Sequence, residues 1–151
     1  APSDDGIYRN MRSVDITPYT ARIDALFDRH RASVGIGDGG NEIGMGVFAA
    51  EIAASTELPD LPAVTRTTKL VIASVSNWGG YGLVAAMSEL TDRNLLPTVA
   101  EEERMVRVCV EAGAVDGFTG DHAVRVDGFK LAEYSRTLAA LHEHLASAGV
   151  R

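Results

Sequence analysis

The chain has 151 residues, 46% hydrophobic and 23% charged, enough apolar content to bury a core and too much for a disordered chain. A formal net charge of −7, with arginines scattered rather than striped, excludes nucleic acid as the main partner. Cys109 is the only cysteine, which excludes an internal disulfide and a cysteine-based zinc site.

The N-terminal stretch Ala1–Asp15 reads as polar and irregular. Thr17 as N-cap with Pro18 at the first helical position predicts a helix to about His30, with Ile23, Leu26, Phe27 and His30 on one face. Ala32–Gly37 is a short apolar strand running into a glycine-rich loop, and Met45–Thr56 follows as a helix carrying Val47, Phe48 and Ile52. Glu57–Pro62 connects to a second strand, Lys69–Ser76, rich in Val and Ile as a strand buried on both faces would be. Ser76-Asn77-Trp78-Gly79-Gly80 reads as its exit loop, before a helix from about Tyr81 to Asn94. Thr98 and Glu101 form a capping box for a helix to Ala114 whose apolar face is Met105, Val108, Cys109 and Ala112. Asp116–Gly128 is loop or short strand, with a possible strand at Ala123–Val126. Phe129–Ala148 is a last helix striped by Leu131, Tyr134, Leu138, Leu141 and Leu145.

Strand–loop–helix, repeated, predicts an α/β fold: a Rossmann-like three-layer arrangement with a mostly parallel sheet. Two clear strands are few for five helices, so the sheet is expected to be incomplete here. Residues 1–151 would then be a single α/β domain or the C-terminal half of a larger one, its missing strands supplied by an N-terminal half or a partner chain. Both glycine loops leave the C-terminal ends of strands, the edge where such sheets bind ligands, and are expected to face each other across one site.

The loop Gly35–Gly46 packs glycines around Asp38, Asn41 and Glu42. Gly35-x-Gly37-x-x-Gly40 matches the dinucleotide fingerprint by letter, but its first glycine lies within the strand and no acidic residue ends the next strand. A Walker motif needs Lys and Ser or Thr after Gly44, where Met45 and Gly46 stand. Asp38 alone reads equally well as a helix cap; the trio reads as a functional site. Glu42 suits a general acid or base if burial moves its pKa towards neutrality, and the same oxygens suit Mg²⁺ or Ca²⁺ without specifying either. Across the site, Ser76 and Asn77 supply polar groups and Trp78 an aromatic wall.

Other candidates are weaker. Arg9 and Arg12 could clamp a carboxylate, and Asp121 with His122 could reach a site from their loop. His142 and His144 point to different helix faces and are expected in solvent, and Cys109 is expected in the core. No segment reads as a signal peptide or a membrane span, so a cytoplasmic setting is expected. Lys69 and Lys130 are the only lysines among 14 basic residues, a bias suggesting a GC-rich bacterial source.

Two motifs, Gly37-Asp38-Gly39-Gly40-Asn41-Glu42-Ile43-Gly44-Met45-Gly46 and Ser76-Asn77-Trp78-Gly79-Gly80-Tyr81, resemble the C-terminal domain of the D-glutamate cyclase family. Asp5-Gly6-Ile7-Tyr8-Arg9-Asn10-Met11-Arg12 and the pairs Asp116-Gly117 and Asp127-Gly128 fit the same pattern, so the resemblance spans nearly the whole chain. It implies a lyase acting on a small acidic amino acid, closing D-glutamate to 5-oxo-D-proline with loss of water. Under it, Asp38 or Glu42 would be the acid/base group, with Mg²⁺ or another divalent cation possible but none required. The substrate-binding set would be Gly37, Gly39, Gly40, Asn41, Ser76, Asn77, Trp78 and Gly79. The backbone of Gly39–Asn41 and the Asn77 side chain would donate to the oxyanion. The alternative is an α/β domain binding a small anionic ligand such as a nucleotide or phosphorylated metabolite, and a third reading makes the chain an interaction half with an exposed sheet edge.

Overall fold

In the computed structural model, which describes residues 1–30 and 32–151, the first strand forms where Val34 and Ile36 alternate with glycines. The chain divides into two units, Ala1–Gly79 and Gly80–Arg151. In the first, β1 (Val34–Gly37) pairs in parallel with β2 (Lys69–Ile72), Val34 opposite Lys69 and Gly37 opposite Ile72. The architecture is therefore mixed α/β with a two-stranded parallel sheet. β2 is not buried on both faces as its composition suggests: Ile72 is 57% exposed, and Val34 on β1 is exposed as well.

Between the strands lie the glycine loop, a 3₁₀ turn at Gly46–Phe48 and the short helix α1 (Ala49–Ala53). The expected helix Met45–Thr56 shrinks to α1, where Ile52 is the one buried side chain, too little to hold a longer helix. The expected helix from Thr17 to His30 is likewise two 3₁₀ segments, Thr17–Tyr19 and Ile23–Arg29. Its apolar positions Ile23 and Leu26 are exposed and have nothing to pack against. Thr17 does not cap; its Oγ1 accepts from the Tyr8 amide at 3.0 Å. Asp24 is the buried member of this segment, its carboxylate accepting from the Tyr8 hydroxyl.

Much of the glycine density has a packing cause. The loop doubles back along its own strand, with the Gly44 and Gly46 amides donating to Thr65 O at 3.0 and 3.1 Å. A Cβ on Gly35 would stand 2.5 Å from Ile43 O and 2.8 Å from Gly44 Cα. Gly44 itself has φ +106°, a conformation side chains rarely adopt.

α2 (Ser76–Thr91) begins five residues before the predicted Tyr81, so Ser76–Gly80 is its first turn and not a loop. The second unit continues with α3 (Val99–Glu111), the hairpin β3 (Arg125–Val126) and β4 (Phe129–Lys130), and α4 (Leu131–Ser147). The capping box at α3 forms as read: Glu101 N donates to Thr98 Oγ1 at 3.2 Å and Thr98 N to Glu101 Oε2 at 2.8 Å. The stripe of α4 is core, with Leu138 and Leu145 packing with Ala85 and Leu96. α3 turns the opposite way from the reading. Met105, Val108 and Cys109 are exposed, while Val99, Glu102, Val106 and Val110 make the inner stripe. The segment at Ala123–Val126 does not extend the parallel sheet. Asp127 and Gly128, with φ 47° and 82°, turn it into an antiparallel hairpin, the geometry such a pair favours.

Glu102 is 1% exposed, with Ser135 Oγ donating to its Oε2 at 3.1 Å and no partner on Oε1. Burial pushes its carboxyl above the ordinary range, the Ser135 hydroxyl partly offsetting this. A raised carboxyl stabilises the fold below its unfolded pKa, and that contribution is lost as pH rises through the folded value. Glu102→Gln is therefore expected to leave stability unchanged in acid and to raise it by about 1–3 kcal/mol at neutral pH, read by urea denaturation at both. Equal stability of the two proteins at neutral pH would contradict this.

Candidate functional site

β1 ends at Gly37 and delivers Asp38 to the strand's C-terminal edge. Asp38 Oδ2 accepts from the backbone amide of Ser76 at 2.7 Å, so a carboxylate from the glycine loop caps the start of α2 and joins the two motifs. Four residues on, the chain folds Glu42 back over its own loop. Gly39 N donates to Glu42 Oε1 at 3.1 Å and Gly40 N to Oε2 at 2.8 Å. Gly40 can turn its amide this way because its φ is +111°.

The Asp38 carboxyl lies close enough to Glu42 to bear on its protonation. Burial raises the Glu42 carboxyl above its ordinary pKa and the Asp38 carboxyl raises it further, against the opposing pull of the Gly40 and Gly39 amides.

The remaining candidates fall around this pair. Ser76 Oγ is buried and has no hydrogen-bond partner. Asn77 is exposed and Trp78 half-buried, both on the first turn of α2. A Cβ on Gly37 would stand 2.6 Å from Met45 Sδ and 3.2 Å from Glu42 Oε2, so bareness here makes room for the carboxylate. Gly79 lies against β1, a Cβ there meeting Ile36 Cγ2 at 2.8 Å. The amides of Gly39 and Gly40 serve Glu42 in this conformation rather than facing outward as oxyanion donors.

Asn41 points away from the carboxyls, its Nδ2 donating to Arg9 O at 3.0 Å. The Asp38–Asn41–Glu42 trio is therefore not assembled as a ligand set, and among the described residues no three His, Cys, Asp or Glu side chains converge as one. The Arg9 guanidinium forks onto Asp5 at 2.6 and 2.9 Å, and that contact holds the Asp5 carboxyl at about 2.

The histidines and the second-unit acids have local roles. His142 is not a solvent residue; its ring contacts Asn94 Nδ2 at 3.1 Å and Pro97 O at 2.9 Å. His144 is exposed beside Glu89, His122 contacts Val110 O at 2.6 Å and Asp121 pairs with Arg125. Asp116 is buried and accepts from the amides of Thr119 and Gly128, which ties its loop to the hairpin turn. Sequence reasoning missed Met11, whose side chain lies against Gly39. The residue stood inside a recognised motif, but nothing local connects it to a loop so far along the chain.

Fold and site together define an α/β domain whose glycine loop presents a paired Asp and Glu at a parallel-strand end. The chain belongs to the D-glutamate cyclase-like, C-terminal family, which it matches over residues 1–142. It is similar to the human mitochondrial D-glutamate cyclase, with 31% identity over 153 residues covering 82% of this chain and 25% of the relative. The chain thus spans about a quarter of the length of that curated relative. No helix among the described residues is long and apolar enough to cross a membrane.

Proposed function

We propose that this domain carries the proton-transfer site of a D-glutamate cyclase-like lyase, closing D-glutamate to 5-oxo-D-proline and water. The reaction forms a bond from the α-nitrogen to the side-chain carboxyl carbon and breaks one carbon–oxygen bond. The ammonium must give up two protons, and the departing carboxylate oxygen must receive two to leave as water. Two neighbouring carboxyl groups can serve both sides of that exchange, one as base towards nitrogen and the other as acid towards oxygen. The observation that carries the reading is the Asp38–Glu42 pair at the end of β1, with Glu42 fixed by two backbone amides. Ser76 Oγ, buried without a partner, and the exposed Asn77 amide are the donors we assign to the developing oxyanion, with Trp78 as a wall. No step is routed through a divalent cation, since Asn41 is turned away and only two carboxylates converge.

Asp38→Asn tests the pair. The amide oxygen of Asn keeps an acceptor for Ser76 N, while the second carboxyl is lost. The acid limb of kcat/KM is expected to move to lower pH, because the group holding Glu42 up is gone, and turnover is expected to fall by about 10²-fold. An unchanged profile and rate would remove Asp38 from the mechanism.

The anionic-ligand alternative is weakened because the amide at the start of α2, which would greet a phosphate, already receives Asp38. We also infer that strands outside these residues extend the two-stranded sheet into the three-layer Rossmann-like arrangement. The support is the exposure of Val34 and Ile72, unusual for parallel strands.

A further inference from the structure

The segment before the first 3₁₀ turn folds back on itself as a strap. Bridges join Pro2 to Tyr8 and Arg9 to Asp15. Asn10 closes the tip, its Oδ1 accepting from the amides of Arg12 at 2.9 Å and Val14 at 3.1 Å. Ser13 N donates back to Asn10 O at 2.9 Å, with Ser13 in the left-handed region at φ 59°. The strap is fastened to the glycine loop by the Asn41 side chain, which donates to Arg9 O at 3.0 Å.

This fastening lays Met11 on Gly39. The Sδ and Cε atoms of Met11 fill the space a Cβ on Gly39 would occupy, and Glu42 Oε1 stands 3.5 Å from that same position. Gly39 thus has a thioether and a carboxylate oxygen against one bare Cα. Met11 is 48% exposed, which leaves its outer side open to solvent while its end covers the loop. A large apolar side chain held half in water by a closed turn gains little stability from its place. Its position is better explained by what it covers.

We infer that Met11 is a positioning residue for Glu42, its thioether shielding the Gly39–Glu42 side of the loop from water. The inference rests on the assignment of Glu42 as the acid/base group. Among the described residues, the charged group of the same loop that bears on Glu42 is the Asp38 carboxyl. Met11 is a separate, uncharged side chain, so the shield can be altered without changing that charge.

The test is a carbon-13 titration of the Glu42 side-chain carboxyl in the wild type, Met11→Ala, Met11→Gln and Met11→Leu. It is run beside kcat and KM on D-glutamate. Loss of the shield in Met11→Ala is expected to bring the Glu42 midpoint down towards the ordinary carboxylate range and to lower kcat on the order of tenfold with KM little changed. Met11→Gln keeps the length but not the apolar end and should shift in the same direction, whereas Met11→Leu should restore the wild-type curve. A wild-type Glu42 titration in both Met11→Ala and Met11→Gln would overturn the shield, whatever the activity does. A shifted titration with unaltered turnover would uphold the shield and count against Glu42 as the acid/base group.

Discussion

Glu42→Gln is expected to lower turnover of D-glutamate by about 10²–10⁴-fold, the range that positioned acid–base groups supply. The carboxylate is a strong candidate because its environment does two opposed things to it. Burial and the Asp38 carboxyl favour the protonated form, while the Gly39 and Gly40 amides hold the ionised form in place. A group balanced in this way can take a proton and return it. Gln keeps the size but turns an NH₂ towards one of two donating amides, so a stability loss of about 1–3 kcal/mol should accompany the change. The two effects separate readily. If Glu42 only staples the loop, activity should follow the folded fraction measured by denaturation. If it moves protons, activity should be lost in protein that is still folded, and the acid limb of the pH–rate profile should disappear with it.

Gly44→Ala is expected to cost about 2–5 kcal/mol. Backbone strain comes from φ +106°. Overpacking adds to it, since a Cβ there would stand 2.7 Å from Thr67 Oγ1 and 3.0 Å from Gly35 Cα. Relief requires the loop to lift from β1, which would carry Asp38 and Glu42 with it. Activity should therefore fall even where the protein is folded. Gly80→Ala is the control: nothing lies within 4 Å of its Cβ position and the residue is helical, so it should stabilise by about 0.5–1 kcal/mol. Similar midpoints for the two variants in thermal denaturation would contradict the packing account of the glycine loop.

What could be read in advance follows the range of the forces involved. The Thr98–Glu101 capping box and the Leu131–Leu145 stripe are local, involve neighbours a turn or two apart, and form as expected. The glycine loop stood out because no simple turn needs so many glycines beside Asp38 and Glu42. Its interior was misjudged for the same reason. Gly35, Gly44 and Gly46 admit the chain's own backbone rather than a ligand's approach. The start of α2 was missed because its cap is Asp38, 38 positions away in sequence, which no local pattern encodes. The helix expected from Thr17 failed for want of a partner: Ile23 and Leu26 have the right period, but nothing covers them. On α3 the expected face of Met105, Val108, Cys109 and Ala112 is turned out, and the valine face turns in, carrying Glu102 with it to Ser135.

The central claim is that the Asp38–Glu42 pair performs the proton transfers of D-glutamate cyclisation. The most direct measurement incubates full-length protein, wild type and the Asp38→Asn/Glu42→Gln double variant, with D- and L-glutamate, with and without EDTA, and resolves 5-oxoproline by chiral chromatography. The account predicts 5-oxo-D-proline from D-glutamate with the wild type and only background from a folded double variant. Wild-type rates in the double variant, or no 5-oxoproline from the wild type under any condition, would contradict it.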